Sequence, residues 1–155
     1  MKKTSKLLIS SIVAIFALVL IAVSSQTKNN SKFFVEEKYY NSGEVIKLDS
    51  EEIKALSNES FLLFTYNSYC GMAKPCEEVF DAVLKKNKID YVSIPIDEFR
   101  KTKYYETVKL APSFIIIKNG VIVAYLDAEN DNHLKYYQEE TDFEKWLGSH
   151  IYLSM

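Results

Sequence analysis

The stretch Phe61–Phe80 constrains this chain more than any other. Phe61–Tyr66 (FLLFTY) is an unbroken apolar run of strand-forming residues, the mark of a fully buried strand. A short polar turn follows, then Tyr69-Cys70-Gly71-Met72-Ala73-Lys74-Pro75-Cys76, and from Pro75 the spacing Val79, Phe80, Val83, Leu84 is helical, with proline favoured at a first helical position. Cys70 and Cys76 are the only cysteines, and five residues separate them. A strand that delivers a thiol to the mouth of a helix is a device for chemistry. The unpaired N–H groups and partial positive charge of the helix N-terminus stabilise a thiolate. The bland reading is a local staple. Closing so short a loop constrains the unfolded chain by roughly 2 kcal/mol, a weak reason to place both cysteines here.

The surrounding 155 residues allow one ordinary domain once the N-terminus is set aside. Met1–Lys6 is a basic segment, and Leu7–Val23 is an uncharged 17-residue run broken only by Ser10 and Ser11. Residues 1–24 therefore read as a signal peptide or an N-terminal membrane anchor, in a style that is bacterial. Ala22-Val23-Ser24 is a poor cleavage site, and no cysteine follows the run for lipid attachment. Positive charges ahead of the apolar run place everything after it outside the cytoplasm, where disulfides persist. Without Lys2, Lys3 and Lys6, 16 of the 19 basic residues remain against 21 acidic ones. That balance argues against nucleic acid as a partner.

Residues 25–42 read as a polar linker, its aromatic end Phe33-Phe34-Val35 either free or packed on the domain; Gly43 marks the boundary, and 43–155 is the domain. Val45–Leu48 alternates like a short strand, and Asp49 or Ser50 caps a helix carrying Ile53 and Leu56. Tyr91–Ile96 is a strand with Pro95 at an irregular end, and Asp97–Leu110 is a short amphipathic helix. Ser113–Lys118 and Val121–Tyr125 are strands joined by Asn119-Gly120, a strong hairpin turn. Leu126–Glu140 is polar and loop-like, and Thr141 with Glu144 forms a capping box that opens a last helix bearing Phe143, Trp146 and Leu147. The order β-α-β-α-β-α-β-β-α implies an α/β fold. Its central mixed sheet is covered by helices on both faces, with the last strand pair antiparallel.

Here the chain resembles the thioredoxin-like family of thiol–disulfide oxidoreductases. Tyr69-Cys70-Gly71 followed by Pro75-Cys76 is similar to that family's Trp-Cys-Gly-Pro-Cys site with Met72-Ala73-Lys74 inserted, a C-x5-C variant. Ala111-Pro112 stands where the family carries its cis-proline, and Phe114–Tyr125 resembles its closing hairpin. The resemblance covers roughly 43–155. It implies thiol–disulfide exchange with Cys70 attacking and Cys76 resolving. Tyr69 and Gly71 would shape the site, while Pro112 and the Ala111 backbone hold an extended client segment. The family's buried acid before the first cysteine aligns with Phe64, and the lysine that partners it aligns with Ser93. The resolving thiol therefore lacks its usual base. Glu77 and Glu78 are the nearest ionisable groups in sequence, and they read more readily as first-turn acids that stabilise the helix.

The expected activity is exchange of disulfides with cysteine-containing exported proteins, by a chain held at the membrane through its N-terminal segment or secreted if that segment is cleaved. Electrons would pass to or from a membrane or thiol redox partner, and no cofactor is needed. Lys74 favours a Cys70 thiolate while Glu77 and Glu78 oppose it, which suggests a pair less oxidising than strong disulfide donors. No metal is expected: His133 and His150 are the only histidines and neither is near the cysteines in sequence, although His133 sits in a 126–140 insertion that could fold toward them. The paired tyrosines, such as Tyr104-Tyr105 and Tyr136-Tyr137, read as half-buried core edge or as a partner surface. The rival is a thioredoxin-fold accessory or binding module of an export or cell-surface assembly, with Cys70–Cys76 as a structural disulfide.

Overall fold

Phe61–Tyr66 forms the strand its apolar run predicts, and every residue of it but Tyr66 is buried. It lies at the centre of the computed structural model, which describes residues 31–67 and 75–155; the folded unit is Lys32–Met155. The anchor or signal segment 1–24 and the linker as far as residue 30 lie outside the described residues. Among the described residues no helix is long and apolar enough to cross a membrane.

The strands are β1 (Val45–Lys47), β2 (Phe61–Tyr66), β3 (Tyr91–Pro95), β4 (Ser113–Lys118) and β5 (Val121–Tyr125). The helices are α1 (Ser50–Ala55), α2 (Cys76–Asn87), α3 (Ile96–Phe99), α4 (Leu134–Gln138) and α5 (Glu140–His150). The sheet order is β1-β3-β2-β4-β5: β3 is parallel to β1 and β2, whereas β4 is antiparallel to β2 and β5. This is the mixed sheet the element order requires. The chain enters the β4–β5 hairpin through Asn119 and Gly120, both at positive φ, as a tight turn between twisted strands demands.

Alternate residues of β2 serve the two faces. On one face Phe64 meets Phe80 of α2 edge-on at 5.4 Å, and Phe80 and Phe114 pack on Phe143 of α5. On the other, Phe61 lies against the rings of Tyr39 and Tyr104. Such offset and edge-on pairs add to the area they bury, and together they fix α2 against β2 and β4.

Four expectations are corrected. The domain begins before Gly43: Val35 and Tyr39 are each 3% exposed, Phe33 bridges Ile151, and the Tyr40 hydroxyl donates to the Tyr152 carbonyl at 2.6 Å. Residues 33–42 are thus an integral edge of the body, with the aromatic end packed. The helix expected over Asp97–Leu110 is broken. α3 stops at Phe99, whose carbonyl is taken by the Thr102 N–H at 3.0 Å and the Thr102 hydroxyl at 2.8 Å, and a 3-10 turn, Lys103–Glu106, follows. Leu126–Glu140 is not all loop, since it contains a 3-10 turn at Asp131–His133 and α4. Finally, α5 starts at Glu140 without a side-chain cap. Glu144 reaches α2 instead, accepting from Asn87 Nδ2 at 2.9 Å and Lys86 Nζ at 2.7 Å, which together hold its carboxyl below the usual range.

Candidate active site

The end of β2 and the start of α2 line one cavity, and the site is built there. Pro75 caps α2 with φ −57° and ψ 122°, a conformation its ring favours, so that Cys76 becomes the first helical residue. Proline thus stands one position ahead of the helix proper. Cys76 is 3% exposed, turned under the helix on the same side as Val79, Phe80 and Val83. Tyr69, Cys70 and Gly71, with Lys74, lie outside the described residues.

Strand register brings the second half of the site to the same edge. Thr65 pairs with Ser113, so the residue before β4 falls opposite the end of β2. That residue is Pro112, buried, and the Ala111–Pro112 peptide is cis, as the resemblance implies. Pro112, Cys76, Pro75, Glu77, Phe64, Tyr66 and Asn67 together line a cavity of about 260 Å³. Two hydroxyls anchor the loop. Ser113 Oγ donates to the Leu110 carbonyl at 2.7 Å, and Tyr137 Oη donates to the Pro112 carbonyl at 3.0 Å. Buried carbonyls left unpaired are costly, so these bonds define where the Pro112 wall stands.

Phe64 contributes to the lining of the cavity. Phe64 and Ser93, the positions of the missing acid and its lysine partner, are direct neighbours across β2 and β3 and both are buried. A phenyl ring and a hydroxyl therefore occupy the place of a carboxylate and an ammonium. Glu77 and Glu78 are exposed in the first turn of α2, where acids favour the helix, and Glu77 borders the cavity. Tyr91, on β3 beneath α2, donates to Asp81 at 2.5 Å. Burial first, then that bond and the Asp81 charge, and then the charges of Glu77 and Cys76, push its hydroxyl above the usual tyrosine range. Neither histidine lines the cavity: His133 Nδ1 accepts from the Asp127 N–H at 3.0 Å, and His150 Nδ1 lies 2.8 Å from the Trp146 carbonyl.

Of the residues singled out in the sequence, Cys76 and Pro112 are brought together, with Ala111 beside them. Tyr137 was missed. Its only signal was a tyrosine pair in a polar stretch, which says nothing of a partner twenty-five residues away in sequence.

A five-stranded mixed sheet, a cysteine at the mouth of the helix after its central strand, and a cis-proline before the adjacent antiparallel strand define the thioredoxin fold. The chain is similar to a mutant thioredoxin from Halobacterium salinarum at a TM-score of 0.52 and 18% identity, over 71% of this chain and 93% of that one. Thioredoxins from Nicotiana alata (24% identity, 68% of this chain and 91% of that one, TM-score 0.48) and Schistosoma mansoni (20%, 70% and 99%, 0.47) also match. No protein-family model matches the chain, and no curated protein does.

Proposed function

We propose that this protein is a thiol–disulfide oxidoreductase of the extracytoplasmic space, tethered to the membrane by its N-terminal segment. The observation that carries the reading is the shared cavity of Cys76 and Pro112 at a helix mouth. In the reductive direction the Cys70 thiolate attacks one sulfur of a client disulfide, forming a mixed disulfide and releasing the other client sulfur as a thiolate. The Cys76 thiolate then attacks Cys70, closing the Cys70–Cys76 disulfide and freeing the second client thiolate, which takes up a proton. Two electrons pass from the pair to the client, and the reverse sequence oxidises it. An extended client segment lies against Pro112 and the Ala111 backbone, and Tyr69 and Gly71 complete the site. The export reading rests on the basic segment and the apolar run Leu7–Val23, which also supply the tether.

Substituting Cys76→Ser removes the resolving thiol and leaves Cys70 to attack. The expected result is a ladder of mixed disulfides on non-reducing gels, abolished by Cys70→Ser in the same chain. A clean monomer in the presence of disulfide clients overturns the exchange reading. For the pair itself, equilibration against glutathione should place the midpoint well below about −120 mV, the value of a strong bacterial oxidant. A C-terminal alkaline phosphatase fusion, active only after export, tests the location and should be active.

One observation favours the accessory-module reading. Phe64 and Ser93 stand at the positions where the resemblance would place a buried acid and its lysine, and neither supplies a carboxylate. In that case the Cys70–Cys76 bond braces the loop, and the Cys76→Ser variant traps nothing.

A further inference from the structure

Within the 126–140 insertion, α4 is buried through a single side chain. Tyr137 is fully buried although both α4 and the 3-10 turn before it are otherwise largely exposed. Its ring lies 5.7 Å from that of Phe80 on α2, one turn beyond Cys76, and its hydroxyl donates to the Pro112 carbonyl at 3.0 Å. One residue thus touches both walls of the cavity: the helix that presents Cys76 and the loop that presents Pro112. The turn that leads into α4 is closed by local bonds, Asn132 N–H to the Asn130 side chain at 3.0 Å and Asp127 N–H to His133 Nδ1, while α4 itself packs on α2 and α5.

We infer that Tyr137 is a positioning residue for polypeptide clients: its hydroxyl sets the distance of the Pro112 wall from the Cys76 helix, and so the width of the groove that admits an extended chain. This rests on the thiol–disulfide reading above. The bond commits the Tyr137 hydroxyl as donor to the Pro112 carbonyl, and the role assigned to it here is recognition. A small disulfide needs only the thiol, whereas a chain must also lie along the Pro112 loop; loosening that loop penalises the second and spares the first.

The test compares the full chain, reduced and kept in mild detergent, with its Tyr137→Phe variant. Each is assayed against insulin, a polypeptide disulfide, and against 5,5′-dithiobis(2-nitrobenzoate), a small one. Loss of one buried hydrogen bond should slow the insulin reaction about five- to tenfold. The small-disulfide rate should stay within about twofold. A Leu134→Glu control on the exposed side of α4 should leave the ratio of the two rates unchanged. Equal slowing of both reactions, or no slowing of either, overturns the proposal. So does a wild type that reduces the small disulfide and ignores insulin. A wild type silent on both overturns the exchange reading, and this inference with it. If Tyr137→Phe does not fold, 3-fluorotyrosine at position 137 keeps the ring and strengthens the donor. A changed insulin-to-small-disulfide ratio then supports the proposal, and an unchanged one rejects it.

Discussion

Asp90 shows how one buried side chain organises the entry to the sheet. It is 5% exposed and accepts from the backbone N–H groups of Ser42, Gly43 and Glu44 and from Asn41 Nδ2, at 2.8 to 3.3 Å. Burial alone would raise its carboxyl pKa. The bonds from Glu44, Ser42, Asn41 and Gly43 outweigh burial and hold it below the ordinary value. Since the folded pKa is the lower one, the stabilisation is present above the unfolded value, about 3.9, and is lost as pH falls through the folded pKa. Asp90→Asn should therefore cost about 2 kcal/mol in urea melts at pH 7 and markedly less at pH 3. Tyr104 presents the opposite case. Its hydroxyl is buried with no hydrogen-bond partner among the described residues, and burial pushes its pKa up to about 12. Tyr104→Phe should be neutral or stabilising by about 1 kcal/mol in the same measurement, because it removes an unmet polar group and leaves the ring.

At the scale of elements, the β4–β5 turn is locked from outside as well as by its own geometry. Gly120 has φ +72°, its N–H donates to the Glu59 carbonyl at 2.8 Å, and an added Cβ would stand 1.7 Å from the Ser57 carbonyl oxygen. Backbone, unlike a side-chain tip, cannot swing aside. Gly120→Ala should destabilise by more than about 2 kcal/mol, seen as a lower urea midpoint with the slope unchanged. Local sequence signals worked where an element is closed by its neighbours in sequence. Asp49 caps α1 by accepting from Glu51 and Glu52, and Glu52 returns the bond to the Asp49 N–H at 2.9 Å. The same kind of signal failed for Thr141 and Glu144. Lys86 and Asn87 of α2 offer Glu144 two donors across the helix interface, and a distant pair of donors wins over one local N–H. α4 was invisible because five residues show no period, and so short a helix depends on tertiary docking, here of Tyr137.

For the whole molecule, the strip Phe33–Ser42 belongs to the body that composition alone would have started at Gly43. Besides burying Val35 and Tyr39, it exchanges bonds with Ser60, through Glu36 N–H to the Ser60 carbonyl at 2.8 Å and Ser60 N–H to Glu36 Oε1 at 3.1 Å. A 43–155 fragment should melt at least about 10 °C below a 32–155 fragment by calorimetry, since the two buried side chains are worth about 3 to 5 kcal/mol together. Equal melting temperatures would return the strip to the status of a linker. The sequence by itself determined the strand-to-helix junction at Cys76, the hairpin at Asn119-Gly120, and an α/β order with a mixed sheet. Each of these is written in residues close together along the chain, where period and turn chemistry act directly. Only the tertiary structure decided that Cys76 and Pro112, which the resemblance set together, share their cavity with Phe64, that Ser93 is the register neighbour of Phe64, and that Tyr137 holds the Pro112 wall. Those facts depend on strand register and on hydrogen bonds between distant segments, which no local pattern encodes.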